Sequence, residues 1–121
     1  MKSKKLIKLT KKLLHKLEKK ERKSKDKYWS FDVKNRDDNK CVICNSDKFL
    51  HTHHIIPREV KAFRWDIDNG ICICVKHHKY SYEISSHKNS FIFILWLQKN
   101  RKEQLDRLLL NYNEMIKIKK A

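Results

Sequence analysis

The sequence predicts an α+β domain, in which two short strands and a helix lie between a basic N-terminal helix and one or two C-terminal helices. Three observations carry this prediction. Apolar residues recur at helical spacing near both ends, and two short strand-like pieces, FLHTHHII and ICICV, lie between them. These pieces are framed by two pairs of metal-ligand residues that have the spacing of zinc knuckles. With 121 residues, the chain has room for one such domain.

The first part of the chain is strongly basic. Residues 1–27 contain 13 Lys or Arg and three acidic residues, and the whole chain has a net charge of +16. Solubility needs a magnitude of only about 2 to 8, so a polyanionic partner, DNA or another nucleic acid, is expected. The longest apolar run is far shorter than the roughly 20 residues that span a membrane, which favours a cytoplasmic protein without membrane contact. A helix on a membrane surface, or an organelle presequence, stays open for the segment before Glu18.

Residues 1–27 are expected to contain an amphipathic helix of about five turns, because aliphatic residues recur there every three or four positions. Residues 28–39 are expected to connect this helix to the module, and their secondary structure is left open. Aromatic and aliphatic side chains in the connecting segment could pin it onto the module. These residues are Tyr28, Trp29, Phe31 and Val33.

Residues 40–89 are expected to form the module, in the order strand, loop, strand, helix. The piece ICICV alternates, as in a strand that is half buried on each face, and KHHKYSYEISSH after it is expected to be the helix. Residues 90–121 are expected to form a helical extension that begins with Ser90 as its N-cap. The apolar run from Phe91 to Leu97 should be the main lid on the core.

Two ligand pairs predict a structural zinc site. Cys41 and Cys44 form one CxxC pair, and Cys74 and His77 form a CxxH pair about thirty residues later. Each pair comes from one tight turn, and two such turns complete a tetrahedral Zn²⁺ shell that has no open position for substrate. Cys72 is interpreted as a core residue, although it could replace Cys74, because alternate residues of a strand face the same way.

The residues between the zinc pairs resemble the HNH endonucleases, also called ββα-metal nucleases. The resemblance extends over residues 41–87, less than half of the chain. A likeness to phage-borne HNH proteins extends to the basic N-terminal helix and to the SHKNS…WL stretch. The matching residues of the module are His53 and His54, followed by Ile55, Ile56 and Pro57, then Asn69, then His78 beside His77.

The resemblance implies a role for each of four residues in hydrolysing a phosphodiester bond. His54 would be the general base that takes a proton from water, since its ordinary pKa lies near neutrality. His53 and His78 would hold a divalent catalytic metal, which could be Mg²⁺, Mn²⁺, Ni²⁺ or Zn²⁺. Asn69 would tie the loop after the first strand in place and so orient His54.

Strand geometry alone favours a different pair of metal ligands. His51 and His53 share a face of an ideal strand, whereas His53 and His54 point apart, so the family interpretation requires the strand to bend or end at His54. His87 lies nine residues after His78, which would put it on the opposite face of a helix. It is therefore considered only as an auxiliary contact to substrate or metal.

Two classes of function remain. The first is a metal-dependent DNA endonuclease of a bacterial or phage-infected cell, with Arg58 and Arg64 in the loop as candidate phosphate-binding residues. The second is a zinc-stabilised module that binds nucleic acid without cutting it and has no need for His54. A toxin-like role of the N-terminal helix is a weaker third. The sequence leaves open whether the protein is a monomer or a homodimer.

Overall fold

The computed structural model describes residues 2–120. Two strands form one small antiparallel sheet, and three helices flank it. Two 3₁₀ turns, Lys61–Phe63 and Ile67–Asn69, lie between the strands, and a π-helical turn, Lys76–Tyr80, follows the second strand. The main elements in chain order are α1 (Lys2–Arg36), β1 (Leu50–His54), β2 (Gly70–Cys74), α2 (Ser90–Asn100) and α3 (Lys102–Lys120).

Helix α1 is longer than the sequence predicted, because it continues through most of the expected connecting segment to Arg36. Residues 3–21 are exposed, and their leucine stripe packs against nothing within the described residues. Trp29 and Val33 are buried, while Tyr28 and Phe31 are exposed. Trp29 and Val33 are four residues apart, so they share one helix face. The packing of this face on the sheet extends the helix beyond its expected end.

Gly70, the only glycine of the chain, lets α1 approach the sheet closely. A Cβ atom at this position would lie 2.6 Å from Cζ2 of Trp29 and even closer to Cγ2 of Val33. The backbone of Gly70 has φ −119° and ψ 149°, an extended conformation open to any residue. Glycine is therefore required here for the space that it leaves, not for its backbone freedom.

Strands β1 and β2 pair from Leu50 opposite Cys74 to His54 opposite Gly70. All five residues of β2 are buried, so the expectation that this strand is half buried was wrong. The reason is that α1 packs against β2 from one side. The main apolar core, which includes Ile71, Ile73, Phe93 and Leu97, also buries the strand.

The helix expected over KHHKYSYEISSH is reduced to the π-helical turn Lys76–Tyr80. The carbonyl groups of His77 and His78 accept hydrogen bonds from the backbone N–H groups of Ser86 and His87, at 2.9 and 3.0 Å. These acceptors are thus used by a chain that folds back over the turn, instead of by the next turn of a helix. The sequence prediction was wrong here because it assumed a continuous helix.

The C-terminal extension forms two helices, and its details differ from the prediction. Asn89, not Ser90, caps α2, since its side chain accepts a hydrogen bond from the N–H of Ile92. Within the run expected to be a lid, only Phe93 and Leu97 are buried. A single helix face covers the core, so the other apolar residues of α2 remain exposed or half-buried. None of the helices within residues 2–120 has an apolar stretch long enough to cross a membrane.

A buried carboxylate joins the three parts of the fold. Both oxygens of Asp37 accept hydrogen bonds from Arg36, and Oδ1 also accepts one from Arg101, which lies between α2 and α3. Oδ2 accepts a further bond from the backbone N–H of Cys72 in β2. Burial opposes ionisation of Asp37, but these donors outweigh it and lower its pKa. The end of α1, the sheet and α3 are thereby fixed to one another.

Candidate active site and metal centres

Cys41, Cys44, Cys74 and His77 form one group of ligand atoms. Their sulfur and nitrogen atoms lie within 4.8 Å of one another, with 3.8 Å between Sγ of Cys44 and Sγ of Cys74. Nδ1 of His77 lies 3.2 Å from Sγ of Cys74 and 3.7 Å from Sγ of Cys41. Three sulfur donors and one imidazole are a donor set that Zn²⁺ prefers. The predicted residues are thus brought together as a group that could hold zinc.

Cys72 lies outside this group. Its side chain is fully buried, and the pKa of its thiol is raised to about 11, first by burial and then by the nearby Asp37 carboxylate. Burial also raises the pKa of Cys44, a member of the group, to about 11, so it is the position of Cys72 and not its pKa that separates it from the ligands. The pKa of Cys41 is instead lowered, because backbone N–H groups around its sulfur outweigh the effect of burial. The interpretation of Cys72 as a core residue agrees with the structure, and Cys74 is the member of the ligand group.

A second ligand group consists of His53, His78 and His87. One ring nitrogen from each lies within 4.8 Å of the others, and Nε2 of His87 is 3.0 Å from Nε2 of His78. The centroid of the His53 ring lies 5.2 Å from that of His78 and 5.2 Å from that of His87. The pair His53 and His78 is thus found together as expected, with a third imidazole beside it.

The expectation that His87 faces away from His78 was wrong. His78 lies in the π-helical turn, and the chain returns to it through two hydrogen bonds to its carbonyl group, from the N–H of His87 and from Oγ of Ser86. The return places the two imidazole rings 4.6 Å apart. Helical spacing could not reveal this contact, because residues 81–89 are not helical.

Burial favours the neutral form of the His53 and His78 imidazoles. Burial, together with the charges of neighbouring histidines, lowers the pKa of His53 to about 3. Burial likewise lowers the pKa of His78 to about 4, again with help from neighbouring histidines. A neutral imidazole has a lone pair to offer, whereas an imidazolium does not. The group is therefore suited to bind a divalent cation.

His51 contacts this group without belonging to it. It lies on the same strand as His53, two residues earlier, and its Nδ1 is 2.8 Å from Nδ1 of His78. His78 therefore uses Nδ1 toward His51 and Nε2 toward His87. The second ring nitrogen of a metal-binding histidine commonly makes such a contact, which fixes the orientation of the ring. Strand geometry had favoured His51 as a ligand itself.

His54 lies where β1 ends, so its side chain can share a cleft with His53 although successive residues of a strand point to opposite faces. Its ring stacks on Trp29, with 3.9 Å between centroids and 10° between planes. Nε2 lies 2.9 Å from the carbonyl oxygen of Arg64. A carbonyl oxygen can only accept, so Nε2 donates, and Nδ1 of the neutral ring has the lone pair. Burial lowers the pKa of His54, although the bond to Arg64 opposes this.

Asn69 fixes the loop between the strands. Its side chain is fully buried, and Oδ1 accepts a hydrogen bond from the N–H of Ile56. Its Nδ2 donates to the carbonyl groups of Ile56 and Phe63, at 3.0 Å each. These bonds hold the chain just after His54 against the loop that contains Arg64. The contacts are those expected of a residue that orders the loop.

A cleft of about 650 Å³ joins the histidines. Arg58 lies at this cleft with an exposed side chain, 3.8 Å from Glu59. Arg64 instead donates two hydrogen bonds to Asp26 of α1, at 2.9 and 2.7 Å, so its charge is balanced within the protein. Only Arg58 of the two candidate arginines therefore faces the cleft. The histidines that line it are His53, His54, His78 and His87.

Comparison with known proteins identifies the middle of the chain. Residues 41–81 match the family model of HNH endonucleases. The match includes both zinc-ligand pairs and the residues that resembled this family in sequence. It excludes His87 and helices α1, α2 and α3. Neither the curated proteins nor the solved structures gave a significant match. The HNH endonuclease segment supports a function of the nuclease type.

Proposed function

We propose that this protein is a metal-dependent DNA endonuclease that hydrolyses phosphodiester bonds. The observation that supports this best is the position of His54. Its Nε2 bonds to a backbone carbonyl, which leaves the lone pair on Nδ1, and it lines the same cleft as the three-histidine group. A general base beside a cation site is the pairing that phosphodiester hydrolysis requires.

His54 accepts the proton of the attacking water. Its stacking and its bond to Arg64 hold the ring in the tautomer that does this, and Asn69 keeps the loop in place. A divalent cation, when bound, offsets the negative charge that develops on the phosphate and on the leaving oxygen. His53, His78 and His87 would hold it through one ring nitrogen each. The metal can be Mg²⁺, Mn²⁺, Ni²⁺ or Zn²⁺, although imidazole ligands favour the transition metals.

The other ligand group binds a structural Zn²⁺ ion. Its four donors are as many as a structural Zn²⁺ ion needs, so a bound ion would have no position for water or substrate. The shell joins the loop before β1 to the turn after β2. The ion thereby fixes the turn from which His78 projects. The two metal sites have different tasks, one in folding and one in the reaction.

The basic charge of the chain supports DNA as the substrate. Residues 3–21 of α1 are exposed, and eight of the ten charges there are positive. Lysines on a free helix can contact several phosphates of a duplex without regard to sequence. Arg58, exposed at the cleft, is placed to contact a phosphate near the reaction. Helix α1 would thus contribute most of the affinity for DNA, and the residues of the cleft would cleave the phosphodiester bond.

The second candidate is a zinc-stabilised module that binds nucleic acid without cutting it. The charge and the zinc-ligand group suit both functions. A pure binder has no physical use for three imidazoles grouped in a cleft with a hydrogen-bonded histidine beside them. The nuclease explains these features, so we favour it.

Metal titration separates the roles of the histidines. We expect His53→Ala and His78→Ala to weaken binding of Mn²⁺ or Ni²⁺, measured by calorimetry on zinc-loaded protein, and to regain some cleavage at high metal concentration. His54→Ala should bind the metal normally and stay inactive at any metal concentration. His15→Ala, on the exposed part of α1, is a matched control and should behave as wild type. Equal metal binding by all four variants and wild type would contradict the assignment.

A further inference from the structure

Helix α1 contacts His54, one of the residues that line the cleft. We infer that Trp29 and Asp26 are positioning residues for His54, so that α1 takes part in the reaction as well as in DNA binding. This inference rests on the proposed function. Both residues lie before the segment that matches the HNH family, and they are three positions apart, on one face of the helix.

Trp29 fixes the plane of the His54 ring. The two rings are nearly parallel, with 10° between planes, and their centroids are 3.9 Å apart. Trp29 is itself held in place, because it is buried and its Nε1 donates to the carbonyl of Asp66 at 2.8 Å. A rigid indole against one face leaves the imidazole free to move only within its own plane. The stack therefore limits the tilt of the ring but not its rotation in that plane.

Asp26 fixes the remaining rotation through the backbone of Arg64. Its two carboxylate oxygens bind the Arg64 guanidinium, and Oδ1 also accepts from Nε1 of Trp65. These hydrogen bonds, that of Arg64 first, lower the pKa of Asp26 despite partial burial. These hydrogen bonds from Arg64 and Trp65 to Asp26 hold residues 64 and 65 against α1. The carbonyl group of Arg64, to which Nε2 of His54 donates, is thereby kept in one position.

The two contacts together set the direction of Nδ1. The stack defines the plane of the imidazole, and the bond from Nε2 to Arg64 defines its orientation within that plane. Neither Trp29 nor Asp26 lines the cleft, so neither contacts substrate. Their loss should change the rate of the reacting complex more than its formation, since a displacement of about 1 Å can cost about 10²-fold in rate.

Three variants of α1 test the inference. Trp29→Leu removes the aromatic face, Trp29→Phe keeps an aromatic ring there, and Asp26→Ala releases Arg64. Val33→Ala is the matched control, because Val33 is buried on the same side of α1 but belongs to neither contact. Thermal unfolding ranks the four variants by stability, so that activity is compared below the unfolding range of each.

Two measurements test the inference: the kinetics of cleavage, and NMR spectra that report the tautomer and surroundings of the His54 ring. We expect kcat to fall about 10- to 100-fold in Trp29→Leu and Asp26→Ala, with KM and metal affinity nearly unchanged, and Trp29→Phe to regain most of the loss. In ¹⁵N spectra of the imidazoles, wild type should show His54 protonated on Nε2, with ring protons shifted upfield by the indole. The upfield shift should disappear in Trp29→Leu, and the single tautomer should be lost in Asp26→Ala.

The two kinds of failure are distinguishable. If wild type cleaves DNA and Trp29→Leu and Asp26→Ala cleave it no more slowly than Val33→Ala, the inference is wrong while the proposed function stands. If wild type cleaves no DNA, the proposed function fails, and the spectra then decide about positioning by themselves. A His54 ring with the same tautomer and shifts in wild type, Trp29→Leu and Asp26→Ala would overturn the inference in that case too.

Discussion

Replacing Gly70 with alanine tests how tightly α1 must pack on the sheet. The new Cβ would lie 2.6 Å from Cζ2 of Trp29, where carbon atoms normally stay about 3.5 to 4.0 Å apart. Trp29 or the helix must therefore move by about 1 Å. Neither has an easy escape, since Trp29 is buried and hydrogen-bonded and Val33 is fully buried. Overpacking of this kind costs about 1 to 3 kcal/mol.

The sign of the effect makes the test decisive. Gly70 has an extended backbone, and where alanine fits such a position it stabilises a protein by about 0.4 to 1 kcal/mol through the unfolded chain. We expect the opposite in urea unfolding with saturating zinc: a midpoint lower by about 1 M, for a slope of about 1 to 3 kcal/mol per M. The shift of Trp29 should also reduce cleavage. An alanine variant that is as stable as wild type or more so would refute the close approach.

Three further predictions concern the two metal sites and the exposed N-terminal part of α1. Cys44→Ser should lose the structural zinc, measured by elemental analysis, and the cooperative unfolding transition, measured by circular dichroism. The control Cys72→Ser should keep its zinc. A Cys44→Ser protein that is folded without zinc would contradict the assignment. Deleting residues 1–24 should weaken DNA binding and make it less dependent on salt, while the zinc module stays folded. An unchanged dependence on salt would show that this part of α1 does not bind DNA. His87→Ala should raise the Kd for Mn²⁺ or Ni²⁺, measured by calorimetry, and an unchanged Kd would remove His87 from the ligands.

Local chemistry in the sequence predicted the centre of the fold well. Ligand spacing alone predicted the zinc group, because each pair comes from a single tight turn. The resemblance to HNH endonucleases implied that the side chains of His53 and His78 lie close together and that Asn69 holds the loop after the first strand. The short spacing within each zinc-ligand pair limits its geometry strongly, whereas the positions of His53, His78 and Asn69 were implied by the family resemblance.

Contacts between residues far apart in the chain could not be predicted from the pattern of residue types. The continuation of α1 depends on Trp29 and Val33 meeting a glycine some forty residues later, and no periodicity reveals that partner. His87 was misplaced because the chain after Tyr80 folds back through hydrogen bonds instead of continuing as a helix. The pairing of Arg64 with Asp26 links residues 38 positions apart. Contacts of this kind depend on tertiary packing, which a pattern of residue types does not determine.

The central claim is that His54 removes a proton from water in a metal-dependent cleavage of DNA. Its most direct test is the conversion of supercoiled plasmid by wild type and by His54→Ala, each with divalent metal and with EDTA. The account predicts cleavage by wild type that EDTA abolishes, and a rate about 10²- to 10⁴-fold lower for His54→Ala, with zinc content and DNA affinity retained. Cleavage by His54→Ala at the wild-type rate, or no metal-dependent cleavage of any DNA by wild type, would contradict it.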